Sequence, residues 1–153
     1  MKTAPPYGIT QRFRVAVDGI DLGGWKSCKG MNVSFKHKFH YEGGIYDGPA
    51  AVLPEHLEYQ AITLERAMSA TESPKVQKWL KDVSQLWMED PTGGTYLGTT
   101  ATITLLDATC TETVAVWGLR NVFPAKWSGP SLDAMGSASV ALESLELVHQ
   151  GFL

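Results

Sequence analysis

The sequence predicts an α+β fold that is mainly β, a mostly antiparallel barrel or sandwich with one flanking helix. Three observations carry this. Several segments alternate apolar and polar residues with the period of a half-buried strand. One segment, beginning at Ser73, repeats its apolar residues at helical spacing instead. Fifteen glycines and eight prolines punctuate the chain, as many turns require. Strand patterns on both sides of a single helix point to α+β rather than to a regular βαβ alternation.

Residues 1–12 are polar, with Pro5-Pro6, and read as an extended or mobile arm. Phe13 to Val17 alternates as a strand, and Asp18-Gly19 is a hairpin turn signal. The cleanest alternation comes next. Met31, Val33, Phe35, His37, Phe39 and Tyr41 fall on one face of a strand; Asn32, Ser34, Lys36, Lys38, His40 and Glu42 fall on the other. One apolar and one wet or interfacial face follow, with Phe and Met expected in the core. Residues 43–56 hold Gly43, Gly44, Gly48, Pro49 and Pro54 among Ile45, Tyr46, Val52 and Leu53. A loop this long is uncommon in a compact domain unless it binds something. Leu57 to Met68 resumes a strand pattern.

Ser73 is a favoured helix N-cap and Pro74 suits the first helical position. Val76, Trp79, Leu80, Val83, Leu86 and Trp87 form the apolar stripe, with Lys78, Lys81, Asp82 and Gln85 opposite. The helix should end near Trp87 to Glu89, ahead of Pro91 and Gly93-Gly94. Strands are expected at Ala101–Leu106 and Thr113–Trp117, and a last one over roughly 139–149. In that last strand Val140 and Leu142 share one face while Leu145 and Leu147 occupy the other, which calls for a bulge near Glu143-Ser144 or burial on both faces.

At 153 residues the chain reads as one domain, able to bury roughly 70% of its unfolded surface without disulfide or metal. Hydrophobic residues at 44% and charged residues at 19% are an ordinary globular balance. A net charge of -3 gives no electrostatic case for nucleic acid or an anionic membrane. No signal peptide or membrane-spanning run is read, so synthesis and assembly in the cytoplasm are expected, with Cys28 and Cys110 most simply reduced. A Cys28–Cys110 disulfide is the alternative.

The residues form no recognisable catalytic pattern. Gly23-Gly24-Trp25-Lys26-Ser27 breaks the phosphate-loop pattern at Trp25. No Gly-x-Ser-x-Gly elbow occurs. His37 and His40, and likewise Glu143 and Glu146, point to opposite faces of a strand, which disfavours a shared metal or a carboxylate pair. Trp79 and Trp87 complete the helix stripe, and Trp127 is expected to anchor the core at its corner. No catalytic residue, cofactor or metal is therefore expected.

The most informative stretch is the last third. Val122-Phe123-Pro124-Ala125-Lys126-Trp127-Ser128-Gly129-Pro130-Ser131-Leu132 forms a corner. A strand reading Val140-Ala141-Leu142-Glu143-Ser144-Leu145-Glu146-Leu147-Val148-His149-Gln150-Gly151 follows it. This block resembles the tube proteins of contractile phage tails and of phage-derived contractile injection systems. Its motif residues are Pro124, Lys126, Trp127, Gly129, Pro130, Glu143, Leu145, Leu147, His149 and Gly151. The resemblance extends upstream through Phe13-Arg14-Val15, Val17-Asp18-Gly19, Leu22-Gly23, Trp25, Lys29-Gly30-Met31, Tyr41-Glu42-Gly43-Gly44, Leu53-Pro54, Ile62-Thr63-Leu64, Arg66, Trp79-Leu80 and Ile103 to Asp107. The chain departs from the family pattern in the bulky Ile45 to Val52 segment, at Ala67-Met68 and at Val122-Phe123-Pro124.

The resemblance implies a two-sheet β-barrel with a flanking helix, joined into hexameric rings that stack as a rigid tube around a channel. It implies stacking through Gly43, Gly44, Ile45, Tyr46, Val52, Leu53 and Pro54, with Lys36, Lys38 and His40 toward the channel. Lys78, Lys81, Asp82 and Gln85 would face a contractile sheath. The partners implied are further copies, the sheath, baseplate or hub proteins and luminal cargo, with no membrane and no specific nucleic acid. A tube-initiating ring at the baseplate and a type VI-like secreted ring protein are variants of this reading. The alternative of another class is a small ligand-binding β-barrel or an enzyme built on one, with a closed apolar pocket.

Overall fold

The computed structural model describes residues 8–22, 24–43, 48, 51–89, 98–107 and 109–153. Strand β1 (Gly8–Val17) begins before Phe13, so part of the polar extended segment is strand. Asp18 and Gly19, with φ of 53° and 70°, turn the chain into β2 (Ile20–Asp21) and pair Val17 with Ile20. Two successive positive φ angles match the right-handed twist of the flanking strands. Then come β3 (Ser27–Lys29), β4 (Val33–His40), β5 (Ala51–Tyr59) and β6 (Ile62–Ala67). Helix α1 (Ser73–Glu89) follows, then β7 (Thr99–Asp107), β8 (Thr113–Ser128) and β9 (Leu142–Val148). Every pairing is antiparallel.

Seven strands form one sheet in the order β2-β1-β7-β8-β9-β6-β3, and β4 and β5 form a second sheet of two. The fold is thus mainly β with one helix, as the patterning predicts. Among the described residues no pairing joins the edge strands β2 and β3, so the expected barrel is not closed within one copy. The large sheet changes partner along β8: residues 113–122 pair with β7 and residues 123–128 with β9. Asn121 marks the change with φ of 49°, and Leu119 and Val122 are both buried although three residues apart. That is the signature of a bulge, which bends a strand and re-phases its faces. A second register shift lies between Pro124 and Lys126. The first part of the expected corner, residues 122–128, is therefore the bent end of β8, while Gly129 to Leu132 lie beyond it, between β8 and β9.

Both halves of the sheet feed one core: Val15, Val17, Leu22, Ile103 and Leu119 from the first, Ile62, Leu64, Leu145 and Leu147 from the second. Helix α1 adds Val76, Trp79 and Val83, with Leu80 packed against them. The stripe is shorter than expected. Leu86 and Trp87 are 37% and 49% exposed, because the core beneath the helix ends after Val83. Strand β9 also differs from expectation. It starts at Leu142, Val140 is exposed, and its register with β6 runs unbroken from Leu142 to Leu147. Its inward face is Glu143, Leu145 and Leu147, all buried, while Ser144 and Glu146 are half-buried on the other face. The apparent slip arises because a carboxylate occupies a core position, while the bulge lies on the partner strand β8.

Candidate assembly surface

The expected strand from Leu57 to Met68 breaks at Gln60-Ala61, and the break sends β5 and β6 into different sheets. As a result β4 and β5 form a hairpin whose strands, among the described residues, pair only with each other. Phe35 faces Leu57, His37 faces Pro54 and Phe39 faces Val52 on one side. Lys36 faces His56, Lys38 faces Leu53 and His40 faces Ala51 on the other. A register shift between Lys36 and His37 absorbs Glu55 as an extra residue. Lys36 pairs with Glu58 at 3.2 Å and Lys38 with Glu55 at 3.3 Å. Exposed pairs of this kind add little stability, but they keep the polar face wet.

The apolar face overturns the expectation that its aromatics enter the core. Phe35 is 64% exposed, Phe39 49% and Val52 56%, and Tyr41 and Leu57 are exposed as well. Met31, ahead of the strand, does pack on the core. Alternation identifies two unlike faces, but not what covers the apolar one. A contiguous exposed apolar patch rimmed by charge is the mark of an interaction surface. Of the residues assigned to stacking, Val52, Leu53 and Pro54 lie within β5 rather than in a loop. Gly43 sits in a turn, while Gly44, Ile45 and Tyr46 lie outside the described residues.

The hairpin's base is fastened at Tyr59 and Gln60. Asn32 donates to the Gln60 side chain at 2.9 Å, the His149 ring reaches the Gln60 carbonyl at 3.1 Å, and Phe152 stands edge-on to Tyr59 at 5.2 Å. Residues beyond β9 are held in turn to β8. Gln150 donates its N–H to Arg120, and Arg120 donates to Gly151. Gly151 has φ of 130°, and a Cβ there would lie 2.7 Å from the Arg120 guanidinium and 2.8 Å from the Tyr59 ring. Only glycine fits such a site without strain.

A buried ion pair positions the helix. Arg66 of β6 donates through Nε to Glu143 of β9 at 2.6 Å, and both residues are buried. Ser73 at the start of α1 donates its hydroxyl to the same Glu143 oxygen at 3.0 Å, instead of capping the helix as expected. Trp127 donates its indole N–H to the other oxygen at 3.3 Å. Arg66 also bonds the Leu22 carbonyl and, at 3.0 Å, the Glu72 carbonyl, and its guanidinium lies 4.1 Å from the centre of the Trp25 ring. Three strands, the helix start and the β2–β3 connection thus meet on two opposite charges. Burial is tolerable because nearly every donor and acceptor is matched. This network explains part of the family block: Trp127 serves Glu143, and Gly129 leaves room for the Trp127 ring, which a Cβ would approach to 2.9 Å. Lys126 is exposed, and Pro130 half-buried beyond it. Glu143 and Glu146 lie on opposite faces as expected, but alternation alone does not announce that Glu143 is buried. The usable signal was a charged residue at an inward register position on each of two strands.

On α1, Lys78, Lys81, Asp82 and Gln85 all face solvent. Cys28 is half-buried and Cys110 exposed, and neither is bonded to the other. Burial pushes the Cys28 thiol up to about 11. Cys28, Phe13, Met31, Ile103, Leu105 and Trp117 line an apolar hollow of about 390 Å³ beside the edge strand β3. Desolvation by burial pushes the Asp107 carboxyl up, but the Thr109 hydroxyl and the N–H groups of Glu112, Thr111 and Thr109 outweigh it and hold the group below its ordinary value. Among the described residues no cluster of three or more His, Cys, Asp or Glu could hold a metal, and no helix is long and apolar enough to cross a membrane.

Residues 10–153 match the family model described as T4-like virus tail tube protein gp19. The fold is similar to a chain in the cryo-EM structure of the anti-feeding prophage baseplate, with a TM-score of 0.71 at 24% identity over 99% of this chain and 95% of that one. It is similar to a chain of the sheath-tube complex of the PVC extracellular contractile injection system in the extended state, with a TM-score of 0.72 at 22% identity over 95% and 88%. A chain in the tube-terminating cap of the anti-feeding prophage gives a TM-score of 0.70 at 22% identity over 96% and 90%. No curated protein matches the sequence.

Proposed function

This chain belongs to the T4-like virus tail tube protein family, and we propose that it is a structural inner-tube subunit whose copies join into hexameric rings and stack around a channel. The observation that carries this reading is the β4–β5 hairpin, with an apolar face that the described residues leave bare. In a ring, a neighbouring copy covers Phe35, Phe39, Val52 and Leu57. The opposite face, with Lys36, Lys38 and His40, then turns to the channel and any cargo. Closure of the sheet, absent within one copy, is supplied by neighbours, which also removes the hazard of exposed strand edges. The segment from Gly43 to Pro54 joins successive rings. The outer face of α1, with Lys78, Lys81, Asp82 and Gln85, meets a contractile sheath, and the terminal rings meet baseplate and cap proteins. The particle is a phage tail or an injection device, assembled where the chain is made.

The test is the double substitution Phe35→Ser, Phe39→Ser. Both side chains are exposed in one copy, so the folded monomer should keep its thermal midpoint while rings and tubes disappear by mass photometry and electron microscopy. Tubes of normal length from this variant would overturn the proposal.

A further inference from the structure

His149 occupies a place that only one protonation state satisfies. The backbone N–H of Gly151 donates to its Nδ1 at 3.1 Å, so Nδ1 must be unprotonated. Its Nε2 lies 3.1 Å from the carbonyl oxygen of Gln60, which can only accept, so Nε2 must carry the proton. The imidazole is thus a neutral Nε2–H tautomer held between two backbone groups. One belongs to the segment after β9, and the other to the junction of the hairpin with β6. The ring also packs against Tyr59 at 5.4 Å and Phe152 at 6.1 Å.

We infer that His149 is a pH-responsive brace that fixes the β4–β5 hairpin to the main sheet. A second proton on Nδ1 would point at the Gly151 N–H. Gly151 cannot back away easily, since it is tied to Arg120 and walled by Tyr59 and the Arg120 guanidinium. The protonated ring must therefore turn, and it then gives up its place against Gln60 and Tyr59. The ionisable groups that the described contacts bring to this cluster are Tyr59 from β5 and Arg120 from β8. Neither is a carboxylate that would favour the imidazolium. Burial lowers the pKa of His149, with the Gln60 hydrogen bond acting the other way. The sign follows: the unfolded chain takes up the proton first. The brace is complete above the ordinary value of 6.5 and is lost as pH falls through the lower folded value. If the hairpin is the surface that joins copies, as proposed above, mild acid loosens the subunit at its contact element.

The experiment uses the full-length protein kept dispersed at low concentration. Two-bond proton–nitrogen correlation spectra should show the Nε2–H tautomer of His149 at about pH 7.5. Amide exchange at Gly151 and Ile62, corrected for its intrinsic pH dependence, should lose at least tenfold protection between about pH 7.5 and about pH 5. His149→Gln can accept from Gly151 and donate to Gln60 without titrating, so its protection should stay within about twofold over that range. An Nδ1–H tautomer, an unchanged Gly151 amide in the parent, or an equal loss in His149→Gln would each overturn the brace. His37, His40 and His56 are the other histidines of the sequence, and an equal loss in the variant would place the effect elsewhere than at His149. Tube formation followed in parallel at about pH 7.5 separates the two readings. Absence of tubes there would overturn the tube assignment and leave the brace standing.

Discussion

Replacing Glu143 with leucine tests the buried network at its centre. The substitution keeps the volume roughly constant and deletes the acceptor shared by Arg66, Ser73 and Trp127. Breaking a buried pair from one side typically costs about 3–5 kcal/mol, because the remaining charge stays buried without its partner. Here Arg66 keeps the carbonyls of Leu22 and Glu72, a second carboxylate at 3.4 Å and the face of Trp25. The lower end applies, about 3 kcal/mol. In a domain of this size that corresponds to a fall in Tm of roughly 6–12 °C. Arg66→Met should cost somewhat more, about 4 kcal/mol, since it strands Glu143 and frees the carbonyls of Leu22, Glu72 and Gly24, the last held at 3.5 Å. The double variant should cost less than the sum by at least about 1.5 kcal/mol. Urea unfolding of dispersed protein followed by tryptophan fluorescence measures all three, with an unchanged denaturant slope as the check on two-state behaviour. A loss under about 1 kcal/mol for Glu143→Leu, or additivity within about 0.5 kcal/mol, would refute the claim that this pair is a buried keystone.

Two further outcomes are expected. Trp79→Ala should destabilise the domain by about 3–5 kcal/mol, whereas Lys78→Glu with Lys81→Glu should stay within about 0.5 kcal/mol of the parent in the same urea assay, because the indole is buried and the lysines are not. The lowered pKa of Asp107 means that its contribution is present above the ordinary value of 3.8 and is lost as pH falls through the lower folded value. Asp107→Ala should therefore flatten the acid limb of a Tm-versus-pH curve, and an acid limb as steep as the parent's would reject that role.

The elements themselves were legible in the residues. The helix runs from Ser73 to Glu89 because Pro74 suits a first turn and Val76, Trp79 and Val83 recur on one face. The Asp18-Gly19 turn and the alternation of β4 are equally local, since each depends on residues a few positions apart. The C-terminal block carried the family resemblance, and Leu145 and Leu147 are core residues of a strand paired on both edges.

Three features depended on tertiary structure, each for a physical reason. A period of two assigns residues to faces but not to partners, so Phe35 and Phe39 could be placed together yet not outside the core. Strand length is set by hydrogen-bond partners: β8 runs through Pro124 because it exchanges β7 for β9 at the Asn121 bulge, and no residue pattern announces that exchange. The burial of Arg66 and Glu143 required both charges to reach one point from strands 77 positions apart in the chain. Alone, each reads as a surface residue; their mutual hydrogen bonds, with those from Ser73 and Trp127, are what make the interior habitable for them. Sequence therefore determined the periodic elements and the family, and long-range pairing decided which apolar face was left bare and which charges went inside.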